Sequence, residues 1–463
     1  MKTSKYIWTL CLSLLALTFT ACGDDDDKGS QSAPMTISQV YLENINDTEN
    51  KDRPVDFARL GQLIRIEGSG FLGLKKILIN GYDTYFNNAL MTDNNVWVTL
   101  NSNTPVEKAE ADVRNKIILV KDQARLEYDF TIRAASPSIT SCDNTLPMPG
   151  ETVTVYGSSL QETTKITLPG GVEITSGIVS DAEGKWFSFT MPGGVTASGS
   201  ITSEGANGIA KSPTFFNNFD CFVTNFDDKG ELGSWNATYS SDDLVDDPLN
   251  TGRGKVAMLV PNVKLEAGGL DAGSNALFYA TAGNDNANDD WTSRMYNAIP
   301  ANTPASDVAI QFDIYCPEEW DLSGMIEISL QNNLSNYGYG SGCTKFSTQY
   351  KNTATVWVPW LNESDGSHTP FTTGERWQTV TIPMTAVGNY DPNEAPDANF
   401  QLICEDRNAG SYRNFLIFFC NSDVESAEDA SPAFSYKAKL FTQKIYIDNI
   451  RVVSIAPIAV SDF

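Results

Sequence analysis

The stretch Tyr350–Met384, YKNTATVWVPWLNESDGSHTPFTTGERWQTVTIPM, holds three tryptophans, Trp357, Trp360 and Trp377, around a polar loop. Flat rings beside Asn, Asp and Gln suit a sugar-binding surface. Ring faces stack on the C–H faces of pyranoses, and amides and carboxylates hydrogen-bond the hydroxyls. Each aromatic contact is worth about 0.5–1.5 kcal/mol, so useful affinity needs several rings. Other aromatics lie in polar, turn-forming contexts: Trp291 in NDNANDDWTS, Tyr337 and Tyr339 in Asn-Tyr-Gly-Tyr-Gly, and Trp320 after Pro-Glu-Glu. Strand alternation puts Val356, Val358 and Trp360 on one face and Trp357 on the other. Trp377 and Trp235 read as core. The expected order for sugar contact is Trp291, Trp360, Tyr337, Tyr339, then Trp320, each weighed against filling a sandwich core.

Composition narrows the chemistry. A formal charge of −26 and a pI near 4.3 make nucleic acid and anionic lipid headgroups poor partners. The one histidine, His368, argues against His-dependent triads and against multi-His zinc centres. A two-carboxylate glycosidase or lyase on a β-sandwich stays open, although MIEISLQ offers Glu327 alone. Cys142, Cys221, Cys316, Cys343, Cys404 and Cys420 show no C-x-x-C spacing, which argues against zinc and redox motifs. Disulfides and buried thiols are equal readings for them.

The elements that must position these rings are strands. Aromatic content of 11%, 34 glycines and 21 prolines point to an all-β, turn-rich chain of several domains. After about Asn218 the alternating segments are VAIQFDIYC (308–316), MIEISLQ (325–331), ATVWVPW (354–360), QTVTIPM (378–384), NFLIFFCN (414–421) and KIYIDNIRVV (444–453). They predict one jelly-roll β-sandwich over 218–463. Before it runs a repeat. One constant shift carries Gly61-Gln-Leu-Ile-Arg-Ile-Glu-Gly68 onto Gly150-Glu-Thr-Val-Thr-Val-Tyr-Gly157. The same shift carries Phe71 onto Leu160, Ile77 onto Ile166, Gly81 onto Gly170 and Trp97 onto Trp186. The period suits tandem immunoglobulin-like sandwiches over 34–135 and 136–217, with both tryptophans read as core. The pattern G-x-x-[IV]-x-[IV]-x-G-x-x-[FL] resembles the immunoglobulin-like, plexin and transcription-factor (IPT/TIG) domain, which implies a spacer or interaction module.

At the N-terminus, Lys2 and Lys5 precede an apolar run from Tyr6 to Phe19 that is too short to span a bilayer. It reads as a signal peptide over 1–21. Ala21-Cys22 resembles a bacterial lipobox, which implies lipidation of Cys22. GDDDDKGSQSAP then forms a flexible acidic tether over 22–33. Cys followed by acidic residues resembles the surface-export signal of Bacteroidota lipoproteins and implies the extracellular side of the outer membrane.

The terminal domain opens with Asn225-Phe226-Asp227-Asp228 and Gly233-Ser234-Trp235, and closes with Ile445-Tyr446-Ile447-Asp448-Asn449-Ile450. It resembles carbohydrate-binding jelly rolls whose first and last strands lie side by side and share a structural calcium. Asp227 and Asp448 are the matching hard-oxygen ligands, with strand capping an equal reading. Signal, tandem spacers and terminal domain in this order resemble the surface glycan-binding proteins of Bacteroidota polysaccharide-utilisation systems, closest to the second, multidomain type with a xyloglucan-binding terminal domain. The resemblance implies non-catalytic capture of a polysaccharide beside a TonB-dependent transporter and its surface lipoprotein partner. A neutral β-linked plant glucan is the first expectation, since the acidic surface disfavours anionic polymers. A β-sandwich glycoside hydrolase or lyase and a protein-binding adhesin are the alternatives.

Overall fold

The computed structural model describes residues 33–43, 53–230, 244–259, 277–281, 295–331, 354–409, 414–421, 423–426 and 431–460. Two compact units divide the chain, Met1–Ser136 and Pro137–Phe463. Cys22 lies outside the described residues.

In the first unit, alternating Val and Ile residues build two four-stranded sheets. One runs Arg53–Val55, Thr36–Glu43, Leu63–Ser69, Asn95–Thr99, and the other Tyr82–Thr84, Lys76–Ile79, Lys116–Val120, Arg125–Asp129. Val40, Ile64, Ile66, Ile77, Ile79, Val96, Val98, Ile117 and Leu119 are buried together. The second unit begins with a sandwich of the same plan. Its sheets are Ser138–Cys142, Thr152–Ser158, Trp186–Thr190, Val179–Ser180 and Val172–Ile174, Lys165–Leu168, Thr202–Gly205, Gly208–Lys211.

The repeat is physical at its glycines. A Cβ on Gly68 would lie 1.8 Å from the Thr36 carbonyl oxygen, and one on Gly157 would lie 1.8 Å from that of Ser138. Gly61 and Gly150 share positive φ, 84° and 94°, as do Gly81 and Gly170. Phe71 and Leu160 are both buried. The tryptophans differ from expectation. Trp97 pairs with Arg65, but Trp186 pairs with Tyr156, the counterpart of Glu67. The second copy is two residues longer before this strand, so Val96 and Val98 correspond to Phe187 and Phe189, which fill the core. Trp97 and Trp186 stand on the outer face, half-buried. Their agreement in the repeat is a coincidence of type, since a strand's faces alternate with each residue.

The terminal sandwich has one sheet ordered Val245–Asp246, Lys255–Leu259, Ile445–Ser454, Val308–Tyr315, Gln378–Pro383, with Phe222–Thr224 also paired to Ile445–Ser454. The first and last strands therefore lie side by side. The facing sheet is Leu277–Thr281, Asn414–Cys420, Met325–Gln331, Ala354–Trp357. Its Trp357 ring meets Phe312 of the first sheet edge-on at 5.8 Å. Every residue of Val308–Tyr315 is buried. One face of this strand looks into the sandwich. On the other, Gln311 and Asp313 lie against Thr145 and Thr379. Thr145 belongs to the immunoglobulin-like sandwich of the same unit, and Thr379 donates its backbone N–H to Asp143 at 2.7 Å. A helix absent from the sequence reading, Phe400–Ala409, packs against Met325–Gln331.

The two kinds of glycine predict different costs. Gly68→Ala and Gly157→Ala should each lose about 3 kcal/mol or more, because a strand backbone must move. Gly150→Ala, with open space around it, should lose only the cost of positive φ, about 1–2 kcal/mol. Urea unfolding of the three variants checks the ranking.

Candidate functional site

Of the five ring candidates, two are corrected. Trp320 and Trp360 are 0% and 2% exposed. Both close the end of the terminal sandwich where Met325–Gln331 begins and Ala354–Trp357 ends. Trp320 packs on Trp357, Phe371, Phe419 and Phe441, and its indole N–H donates to the Ser323 carbonyl. Trp360 donates to the Gly324 carbonyl at 3.1 Å and meets Tyr436 edge-on. A buried indole needs its N–H satisfied, and both are. Neither ring has a free face for a sugar. Trp377 is core as expected, donating to Asp247 at 3.0 Å. The alternation reading of VWVPW also needs correction. The strand ends at Trp357, whose half-buried ring joins the inter-sheet core, and Val356 and Val358 are buried as well.

Trp291, Tyr337 and Tyr339 lie outside the described residues, as does Trp235. The strands that flank them are informative. Thr281 pairs with Phe415, Leu330 with Phe415, Gln331 with Asn414, and Ser329 with Ala354. Segments 282–294 and 332–353 therefore both leave from one end of this sheet, the end where Asn414 begins its strand. Segment 332–353 also returns there, at Ala354. The Trp320–Trp360 cluster plugs the opposite end.

Of the two expected calcium ligands, Asp448 has a guanidinium nearby. Asp448 and Asp313 are wholly buried, in adjacent strands paired directly opposite one another. Arg253 Nη1 lies 2.8 Å from Asp313 Oδ2 and 4.0 Å from Asp448 Oδ2. Arg451 Nη2 lies 2.9 Å from Asp313 Oδ1, and Thr379 Oγ1 donates to that oxygen at 2.8 Å. Arg451 also donates to Thr145 Oγ1, and Arg253 to the Leu146 carbonyl, both in the immunoglobulin-like sandwich. Asp227 is exposed and accepts the Lys255 backbone N–H at 2.9 Å. Among the described residues no three His, Cys, Asp or Glu side chains converge as metal ligands. The Arg253 guanidinium thus lies between Asp313 and Asp448. Burial opposes ionisation of Asp313, but Arg451 and Arg253 outweigh it and hold its carboxyl below the usual range. Asp448 goes the other way. Burial pushes it well up, Arg253 offsets only part of this, and the Asp313 charge adds to the rise.

These positions had a signal in the sequence. Gln311 and Asp313 alternate with Ile310, Phe312 and Ile314, and Arg451 interrupts an apolar strand. Polar side chains at period two in a hydrophobic run mark a second buried face.

The family model for the surface glycan-binding protein B xyloglucan binding domain matches residues 216–454, more than half of the chain. The chain belongs to this family. Its members bind glycan at the cell surface without catalysing a reaction. Over 170 residues, 35% of this chain, it is 24% identical to an IPT/TIG domain-containing protein of Bacteroides ovatus. That match spans about a third (33%) of the relative's length. Among solved structures it is similar to the surface glycan-binding protein PbSGBP-B from Prevotella bryantii. The TM-score is 0.59 at 19% identity, covering 92% of this chain and 100% of that one. It is also similar to SGBP-B from a complex xyloglucan utilization locus in Bacteroides uniformis. There the TM-score is 0.42 at 17% identity, covering 91% and 100%. What the chain shares with the Prevotella bryantii protein is the fold, the all-β arrangement expected from the sequence.

In this glycan-binding family member, Glu327, the carboxylate considered for hydrolysis, is 2% exposed and out of a polymer's reach. Cys142, Cys221, Cys316 and Cys404 are buried free thiols. Burial pushes Cys221 and Cys316 up to about 12, which leaves them unreactive. Cys343 lies outside the described residues.

The two buried aspartates should respond oppositely to neutralisation. Asp313→Asn strands two guanidiniums and should lose about 3–5 kcal/mol. Asp448 carries a raised value, so its contribution is full at low pH and is lost as pH rises through that value. Asp448→Asn should therefore hold or raise the melting temperature at pH 7, with a smaller difference from wild type near pH 4. A thermal melt series over pH checks both.

Proposed function

We propose that this protein captures a neutral, β-linked plant glucan at the cell surface and passes it to an uptake system without cleaving it. Xyloglucan is the first substrate class, with mixed-linkage glucan next. The observation that carries the reading is the match of residues 216–454 to a xyloglucan-binding domain. Two things support the placement of the site. The segments bearing Trp291, Tyr337 and Tyr339 leave from one end of one sheet. Trp320, Trp360 and Trp377 are consumed by the core. A lipid on Cys22 would hold the chain on the outer membrane, the acidic tether would give it reach, and the tandem sandwiches would act as spacer. The partners in this reading are a TonB-dependent transporter and its surface lipoprotein.

Affinity electrophoresis against a panel of plant polysaccharides tests it. Retardation by xyloglucan with no release of reducing ends is the expected result. Trp291→Ala, and Tyr337→Ala with Tyr339→Ala, should each weaken binding by about 3- to 10-fold, the value of one or two stacked rings, with the melting temperature kept. Trp320→Ala and Trp360→Ala should instead lose about 3–5 kcal/mol of stability. Retardation by no glycan, beside capture of a protein, would move the reading to an adhesin.

A further inference from the structure

The junction between the immunoglobulin-like sandwich of the second unit and the terminal domain holds a cavity of about 680 Å³. We propose that it is a second glycan contact, which takes a segment of the same neutral polymer. This rests on the glycan-capture reading above and extends it to residues that reading does not use.

The walls are built before any ligand arrives. On one side the Gly199–Phe216 bridge, with both N–H to O bonds at 3.0 Å, fixes Ser198 and Thr214. Asn217 Nδ2 braces the same wall by donating to the Val195 and Ala197 carbonyls at 3.2 and 2.9 Å. On the other side Asn297 sits in a turn closed by Ala298 and Ile299 N–H bonds to the Met295 carbonyl. Phe219 and Asp220 lie between, on the segment that enters the strand Phe222–Thr224. Pre-organised walls lower the ordering cost of binding.

The lining has the chemistry of a sugar subsite. Phe219 is 48% exposed, and its ring lies 6.2 Å from that of Phe222, tilted by 58°. A large ring left this open is available for stacking on a pyranose face. Around it stand two exposed hydroxyls, Ser198 and Thr214, and two amides, the exposed Asn297 and the half-buried Asn218. One carboxylate, Asp220, and one ammonium, Lys229, cancel in charge, so the lining favours a neutral polar ligand over an anion or a cation. The volume falls in the range of small-ligand sites, about 300–1,000 Å³. A single open ring gives weak affinity, so this contact works as the second hold on a polymer already bound at the terminal loops. Linking two weak contacts through one chain raises overall avidity.

The test uses the full chain and isothermal titration calorimetry with two probes, xyloglucan polymer and a short xyloglucan oligosaccharide. Phe219→Ala removes the ring, and Thr214→Trp fills the cavity from an exposed position. Both variants should lose about tenfold in affinity for the polymer and keep the wild-type affinity for the short oligosaccharide, at an unchanged melting temperature. Polymer affinity equal to wild type in both variants overturns the second contact while glycan capture stands. A wild-type chain that binds neither probe, nor any other plant glucan, overturns glycan capture itself and this contact with it.

Discussion

The buried guanidinium–carboxylate cluster is the constraint on which the second unit turns. Taking charges out of water costs several kcal/mol per ion unless each finds its partners in good geometry. Here the partners come from distant parts of the chain. Asp313 stands in the central strand, Asp448 and Arg451 in the last, Arg253 beside the strand Lys255–Leu259, and Thr145 and Leu146 in the immunoglobulin-like sandwich. Satisfying Asp313 therefore requires the last strand beside the central one, and the two guanidiniums that satisfy it find further acceptors in the smaller sandwich seated on the outer face. The split in proton affinity between Asp313 and Asp448 follows from the same shortage. Asp313 receives both guanidiniums at hydrogen-bond distance, whereas Asp448 accepts two neutral N–H groups of Asn449 and has a guanidinium, that of Arg253, no nearer than 4.0 Å.

A second competition, for aromatic rings, decides where ligand can bind. Burying a large ring removes about 150–250 Å² from water, worth on the order of 4–6 kcal/mol, against about 0.5–1.5 kcal/mol for one stack on a sugar. Folding therefore claims any ring near a strand end. Trp320, Trp357 and Trp360 form the plug at one end of the sandwich for that reason, and Trp377 seals the sheet edge with Asp247. Rings that serve a ligand must be carried where no core is within reach.

That competition also explains what was legible in the sequence. Several strands were readable to within a residue or two, because alternation is imposed by the pleat: Val308–Tyr315, Met325–Gln331 and Ile445–Ser454 fall inside or beside the segments read for them, whereas ATVWVPW overran a strand that stops at Trp357. The repeat was readable at Gly68 and Gly157 because backbone sterics permit nothing else there. It misled at Trp97 and Trp186, where a two-residue insertion shifts the register and residue type alone carries no depth. Trp320 and Trp360 were misread because polar neighbours in sequence do not report which groups cover a ring in space. The guanidinium near Asp448 was not foreseen because Arg253 comes from a remote loop. A short helix such as Phe400–Ala409 left too little periodicity to be seen among strands.

The division of labour between the two ends of the terminal sandwich follows. One end is sealed by the indole cluster, its N–H groups spent on Ser323 and Gly324 carbonyls, and it holds the sheets at fixed separation. The other end carries the strand termini at Thr281, Gln331, Ala354 and Asn414 within one ladder. A polymer presents the same sugar repeatedly, so a protein that binds it gains little from one deep, exacting pocket. Several shallow contacts on a rigid body, each too weak alone, grip a long chain and release a short one. The cluster around Asp313 contributes to that rigidity, because its guanidiniums join the terminal domain to Thr145 and Leu146 of the smaller sandwich.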